Sequence, residues 1–402
     1  MGYGRKVLGW EGPLEAITDG RRQGRIPTRT IMRGAVVMFL SRLGSLNALE
    51  QSRPSRFWQD WLGGALPSAD TIGRVCALVE PAGVRAVARQ VYARLKRNKA
   101  LPELVPGLAL AVVDGHESHA TYRQRCRGCL ERTIHTEQGD RVQYYHRYVA
   151  LHLVGNDFGL SLDAEPMLAG EDEVATALRL LDRAVRQYPR AFDVVGGDAK
   201  YADPRFFHWA LDHGKHALAV LKDDRRDLLQ EADRLFADQP PTSMREGTLR
   251  RECWDLSGFT TWPQVRLPVR VVRSRETRGV RRQLTAQPEE LTSAWTWVTT
   301  LPETLASTGA VVRLGHARWD IENDGFNELV NHQQADHVYK HQPTAMLVFW
   351  LLAMICLNVF QSFYRRNLKP AARAAASRLH VARQIAAQLY AGLPSGLTRA
   401  PP

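Results

Sequence analysis

Two short apolar runs in this chain each stop at an aspartate beside glycine, and that recurrence restricts the fold more than any other feature. Leu108 to Val113 (LALAVV) ends in Asp114-Gly115, and Phe192 to Val195 ends in Gly196-Gly197-Asp198. An apolar run of this length closed by a turn signal reads as a buried strand, so both aspartates are placed at strand ends. Two more strands are expected between them, over Tyr144 to Val154 and over Phe158 to Asp163, the second after a Gly155-Asn156 turn signal. An amphipathic helix follows from about Glu173 to Gln187, with Val174, Ala177, Leu178, Leu181 and Ala184 on one face. After Asp198 come a helix near Pro204–Asp212, a strand over His216–Leu221 and a helix near Arg226–Phe236.

The order is three strands, helix, strand, helix, strand, helix. It predicts an α/β sheet that starts as a meander and continues through parallel crossovers, the order of an RNase H-like core. At 402 residues the chain is long enough for further units. Residues 1–100 read as an N-terminal helical region. Thr28 caps a helix through Ile31, Ala35, Met38, Phe39 and Leu43, Ser68 caps Ala69 to Val79, and a third helix runs from Gly83 to Lys99. The last two carry Arg74, Arg85, Arg89, Arg94, Lys96, Arg97 and Lys99. Such a region suits docking on DNA in helix-turn-helix fashion; it equally suits packing or dimerisation with a solvated basic face.

Residues 105–239 are then the first part of the core, and 240–312 a β-rich insertion. In the insertion Val265, Leu267, Val269 and Val271 share one strand face, while Arg266 and Arg270 on the other could track a phosphate backbone. Ala294 to Thr300 is another strand, whose Trp295 and Trp297 are expected to pack the sheet rather than stack on bases. Helical spacing returns from about Ala317, giving core helices over 313–365 and an Ala/Arg-rich helical tail over 366–402.

Charge narrows the partner. The chain has 54 Lys+Arg against 42 Asp+Glu, a net +12, which favours a polyanion, with nucleic acid commoner than a membrane surface. The longest apolar run, Ala345 to Leu357, is thirteen residues, short of the roughly twenty a spanning helix needs, so it reads as a buried core helix. Residues 1–30 are polar and basic and lack the pattern of a secretory signal. Cys76, Cys126, Cys129, Cys253 and Cys356 form no regular framework, which points to a reducing, cytoplasmic setting.

Phosphodiester chemistry assisted by two cations needs carboxylates that hold the ions about 4 Å apart, placed where rigid backbone fixes them. Asp114 and Asp198 meet that demand, and their glycine neighbours leave room for a substrate backbone. A third carboxylate would come from the acidic helical stretch Arg318-Trp319-Asp320-Ile321-Glu322-Asn323-Asp324, where spacing alone does not select one residue.

Taken in order, AVVDGHE, VVGGDAKYADP and RWDIENDGFNEL resemble the three catalytic segments of the DDE transposases of bacterial insertion sequences. The group they resemble carries a Tyr-x2-Arg-x3-Glu-x6-Lys signature and a β-strand insertion before the glutamate. That resemblance, over roughly residues 65–365, selects Glu322 as the third metal ligand beside Asp114 and Asp198. It implies Mg²⁺ or Mn²⁺ as cofactor, double-stranded DNA (transposon ends and target) as partner, and a homodimer in the DNA complex. It also implies hydrolysis at the ends followed by attack of the freed 3′-hydroxyl on target DNA. Arg318 would steady a DNA phosphate, against an alternative in which it simply pairs with Glu322 one turn on. Two signature positions differ: Gly315 stands at the tyrosine and Leu329 at the lysine, with Asn331, His332 or Lys340 as candidate substitutes. These departures keep open a DNA-binding protein that does not cut, and an RNase H-like nuclease without strand transfer is a second alternative.

Cys126-Arg-Gly-Cys129 is half of a zinc site. His135 and His146 lie downstream at a spacing that matches no strong zinc pattern, so free thiols are expected there in preference to structural Zn²⁺.

Overall fold

The computed structural model describes residues 1–124, 126–222, 227–281 and 288–390. After a π-helical turn over Gly4–Leu8, the first hundred residues form six α-helices: α1 (Glu11–Glu15), α2 (Thr28–Leu40), α3 (Leu46–Gln51), α4 (Phe57–Leu62), α5 (Ala69–Cys76) and α6 (Pro81–Arg97). Ser68 caps α5 by accepting from the Thr71 N–H at 3.3 Å, and Pro81 opens α6 where its missing N–H costs nothing.

The central region runs β1 (Leu110–Thr121), β2 (Leu130–Thr136), β3 (Gly139–Leu153), β4 (Leu160–Pro166), α7 (Glu173–Gln187), β5 (Val194–Gly197), α8 (Pro204–Asp212), β6 (His216–Val220) and α9 (Asp227–Ala237). Arg226, the expected first residue of that last helix, lies outside the described residues. Strands β4, β3 and β1 are antiparallel neighbours, whereas β1, β5 and β6 are parallel. Spatial order β4-β3-β1-β5-β6 with those directions is the expected RNase H-like sheet, a meander joined to two crossovers through α7 and α8.

Four further strands extend the same sheet: β7 (Thr242–Glu246), β8 (Leu249–Phe259), β9 (Val269–Arg281) and β10 (Pro288–Thr299). The full order is β2-β3-β1-β5-β6-β10-β9-β8-β7, with β10 antiparallel to β6. The β-rich insertion is therefore an outgrowth of the catalytic sheet rather than a separate sandwich. Helices α10 (Thr308–Ala317), α11 (Asn327–Gln333), α12 (Pro343–Ser362), α13 (Pro370–Ala375) and α14 (Arg378–Tyr390) complete the described chain. The last part of the expected tail, residues 391–402, lies outside them.

The apolar helix α12 is long and apolar enough by composition to cross a membrane, yet its side chains from Ala345 to Ser362 are all buried. It lies against β4 and against α2, α5 and α6, so the N-terminal helices and the sheet share one hydrophobic core. A helix apolar on every side needs such enclosure. Charged groups also cross this seam. Arg85 of α6 is buried and donates to Asp163 (2.8 Å) and Glu165 (3.1 Å) of β4, and Arg183 of α7 reaches Asp163 from the other side at 2.7 Å. Arg85 thus leaves the expected solvated basic face: it is a buried cation with both carboxylates satisfied, whose removal would strand them.

Three expectations need correction. Strand β1 does not stop at Asp114 but runs seven residues further, paired with β3 as far as Thr121↔Tyr144. Its apolar run ends there because both faces are covered only up to Val113, and beyond it the hairpin is half exposed. In the insertion, β9 begins at Val269, so Arg266 sits in the preceding loop and Leu267 is 53% exposed. Arg270 is not on an exposed face at all: it is 3% exposed, with Nε 2.7 Å from Asp255 and Nη1 donating to the carbonyls of Leu301 and Ala306. With its donors taken by protein and no path to solvent, Arg270 tracks no phosphate. Finally, helix returns at Thr308, nine residues before Ala317, where Ser307 caps it.

Candidate active site

Register brings the first two carboxylates together. In the parallel pair β1/β5, Val112 lies opposite Gly196, so Asp114 and Asp198 are each two residues further along neighbouring strands and emerge on the same side. Asp114 is carried by a continuing strand, whereas Asp198 ends β5 and caps a short turn, accepting from the Lys200 N–H at 3.0 Å.

The third carboxylate arrives through Arg318. Its Nη1 lies 2.8 Å from Glu322 Oε1 and 3.8 Å from Asp114 Oδ2, and its guanidinium stacks over Trp319 at 4.3 Å. The residues from Ile321 to Phe326 form a widened, π-type turn, a distortion often found at functional positions because it re-aims side chains. That turn is docked on β1 by a second contact. His116, two residues beyond Asp114 on the same face, stacks on Phe326 at 4.9 Å and pairs with Asp336 at 2.9 Å. Arg318 and His116 together hold the Glu322 segment over the strand that carries Asp114.

Electrostatics record the crowding. The Asp114 carboxyl is pushed up to about 6, first by burial, then by the Asp198 charge, with Glu173 adding to the rise and Arg318 opposing it. A buried aspartate that resists ionisation because other carboxylates face it is a site that favours a cation. Hard oxygen donors of this kind suit Mg²⁺ or Mn²⁺.

A fourth carboxylate in this cluster has no local signal in the sequence. Glu173, the first residue of α7, is buried and meets Arg147 (2.6 Å), Lys200 Nζ (3.2 Å) and the Tyr201 hydroxyl (3.3 Å). A Cβ on Gly115 would overlap its carboxylate, so the glycine after Asp114 makes room for Glu173 as well as for any substrate. Acidic residues at helix starts are ordinary, which hides this one. Lys200, with its side chain half exposed beside Asp198, is the second residue that sequence reasoning passed over.

Both signature departures have packing reasons. A Cβ on Gly315 would fall inside the Trp297 indole, which is buried and fills the place where a tyrosine would stand. Leu329 is 1% exposed on α11, in the core rather than toward the carboxylates, because the π-type turn shifts the phase between it and Glu322. Of the candidate substitutes, Asn331 bonds Asn327 and the Lys340 stem lies beside Gly73 of α5. Trp297 packs the sheet as expected, its ring 6.4 Å from that of Trp295.

The other basic residues singled out in the sequence lie apart from this cluster. Arg74 is exposed and pairs with Asp70 (3.2 Å), and Arg266 is exposed beside Asp212 (2.5 Å). Lys96 and Arg97 are exposed at the end of α6, and with Arg89 they line an open groove. His135 pairs with Asp140 on the hairpin tip (2.7 Å), away from the cysteines, whereas His146 lies beside them.

No curated protein sequence matches the chain. Among solved structures, a similar one is a cryo-EM structure of piggyBac transposase in a synaptic complex with hairpin DNA. It is 10% identical over 95% of this chain and 76% of that one, with a TM-score of 0.42, too distant to argue from. The sequence profile of the transposase DDE domain matches residues 107–359, which span β1 to α12 and include all three carboxylates. With more than half of its length matched by that profile, this chain belongs to the transposase DDE domain family.

Proposed function

We propose that this transposase cuts DNA at the ends of a mobile element and joins them to target DNA, with Asp114, Asp198 and Glu322 as its metal ligands. The observation that carries this is the junction at Arg318, which contacts Asp114 and Glu322 while Asp198 stands in register on the next strand. Mg²⁺ or Mn²⁺ held there would supply an activated oxygen nucleophile and stabilise the leaving oxygen. The chain's own residues do the rest. The β1/β5 register fixes the two aspartates on rigid backbone. Arg318 neutralises part of the carboxylate charge and offers its remaining donors to a phosphate, so ion pair and phosphate contact are compatible. Gly115 leaves room for the Glu173 carboxylate, and Gly197, at the end of β5, leaves room for the Tyr201 ring. Lys200 adds an exposed cation beside Asp198.

DNA further from the metals would lie across Arg74, Arg266, Lys96 and Arg97. The pairs Arg74–Asp70 and Arg266–Asp212 are exposed and contribute little to stability, so a phosphate can replace the carboxylate at small cost. Residues 1–100 and the strand outgrowth would thus share end recognition, in the cytoplasm and with two copies synapsing the ends. Gly315 against Trp297 and the buried Leu329 fit their surroundings, so the fold accommodates both departures from the signature.

Asp198→Asn tests the assignment. It should abolish Mg²⁺-dependent cleavage of an end-bearing duplex while end binding persists, since asparagine keeps the size and loses the charge. Cleavage at the parental rate would rule out the three-carboxylate site.

A further inference from the structure

We propose that Cys126, Cys129 and His146, with a fourth ligand from the histidine pair His119/His341, form a structural zinc site that clamps the β1/β3 hairpin to the entrance of α12. The two thiols lie 3.7 Å apart, and His146 Nε2 is 3.3 Å from Cys126 Sγ and 3.5 Å from Cys129 Sγ. A tetrahedral ion with Zn–S near 2.3 Å and Zn–N near 2.0–2.1 Å separates two sulfurs by about 3.8 Å and sulfur from nitrogen by about 3.6 Å. All three observed separations fall close to those values. Three side chains have converged on the edges of one tetrahedron, although two come from a tight loop and one from a strand about twenty residues on.

The loop has the shape of a metal knuckle. The Cys129 N–H donates to the Cys126 carbonyl at 3.3 Å, which turns both thiols the same way. Gly128 presses on Pro343, the first residue of α12, with no room for a larger side chain. His146 is buried on β3, directly opposite His119 on β1, so both rings share one face of the hairpin. His341, two residues before α12, meets His119 edge to face at 5.6 Å, and His119 stands opposite His146 across the strand pair. The donor atoms of Cys126, Cys129 and His146 lie within 4.8 Å of one another, so one of the two outer imidazoles would swing in to complete a closed N/S tetrahedron, which marks a structural rather than a catalytic ion.

The position gives the ion its work. His119 is five residues beyond Asp114 on one strand, and residues 334–342 lead from the helices after Glu322 into α12. A clamp here fixes the distance between the strand bearing the first carboxylate and the chain following the third. The soft thiolate donors also keep this site chemically distinct from the oxygen site, which selects hard cations.

Metal analysis of the purified full-length protein should find one zinc per chain, retained through gel filtration without added metal. Cobalt-exchanged protein should show the intense visible bands of tetrahedral Co²⁺ together with thiolate charge transfer. Cys126→Ser should weaken the charge-transfer band, leaving one thiolate, or release the metal. Of His119→Ala and His341→Ala, one should weaken the visible bands, while Asp198→Asn should leave zinc content and spectrum unchanged. The parent spectrum stands even where a variant fails to fold. Four results would overturn the proposal: parent protein that holds neither zinc nor tetrahedral cobalt, a Cys126–Cys129 disulfide in protein prepared under reducing conditions, a cobalt spectrum indifferent to Cys126→Ser, or one indifferent to both histidine variants.

Discussion

Replacing Asp114 by asparagine should make the metal-free protein more stable at neutral pH and no more stable in acid. Burial and the neighbouring carboxylates raise this carboxyl from an ordinary 3.8 to about 6. Below about pH 4 it is protonated in both folded and unfolded chains, and its ionisation costs nothing. As pH rises toward 6 the unfolded chain gives up the proton while the folded one keeps it, and above 6 the folded site carries the full penalty. A shift of about two units at 1.36 kcal/mol each amounts to about 3 kcal/mol, with little loss to solvent screening because the side chain is only 13% exposed. Unfolding entropy near 2.1 cal/mol/K per residue, over 402 residues, converts this to a rise in melting temperature of about 3–4 °C. Calorimetric melts of parent and Asp114→Asn in EDTA, at pH 4 and pH 8, read the difference directly. In millimolar Mg²⁺ the gap should narrow at pH 8, because the ion offsets the charge repulsion that only the parent carries. Equal melting temperatures at pH 8 in EDTA, or an offset already complete at pH 4, would show that Asp114 does not face a cluster of negative charge.

Three further outcomes follow from the same geometry. Arg318→Gln removes the cation that opposes the rise at Asp114, so the acid limb of Mg²⁺-dependent cleavage should move to higher pH; an unmoved profile would detach Arg318 from Asp114. Gly115→Ala puts a methyl group into the Glu173 carboxylate and should destabilise the fold by about 1–3 kcal/mol, seen as a lower urea midpoint, with relief in Gly115→Ala/Glu173→Ala. Gly315→Tyr, although it restores a signature residue, should reduce soluble yield and melting temperature because Trp297 holds that space, and a variant as stable as the parent would refute the packing account.

The elements that sequence periodicity located well are those whose burial matches one simple pattern. Helix α7 was readable to the residue because its apolar face repeats with helical spacing, and α8 because Asp203 and Pro204 mark its start. Strand β1 was readable only as far as Val113, since hydrophobicity reports cover on both faces and the outer hairpin lacks it. For the same reason strand β2 left no signal, and β7 and β8 were expected only as unplaced parts of the β-rich insertion: they are polar ribbons held by backbone ladders and charged pairs, such as Arg132 on Glu117 at 2.7 Å. A strand of that kind leaves little trace in an apolar pattern.

The candidate site divides along a similar line. Asp114 and Asp198 could be picked out because each closes a short apolar run beside glycine, so local sequence carried the signal. Glu322 needed the family resemblance, because a π-type turn places it and nothing local distinguishes it from Asp320 or Asp324. Glu173 and the thiol cluster depended on contacts between residues far apart in the chain. Glu173 meets a lysine 27 positions on, and Cys126 meets a histidine on the returning strand of a hairpin whose length the sequence did not fix. The register of β2 against β3 decides which residue reaches the thiols, because Leu130 opposite Tyr145 puts Cys129 beside His146. Slipping it by one residue would put Tyr145 or Arg147 in its place. Strand β3 carries both registers, against β2 for the cysteine cluster and against β1 where Asp114 lies opposite Ala150, so one strand links the two sites.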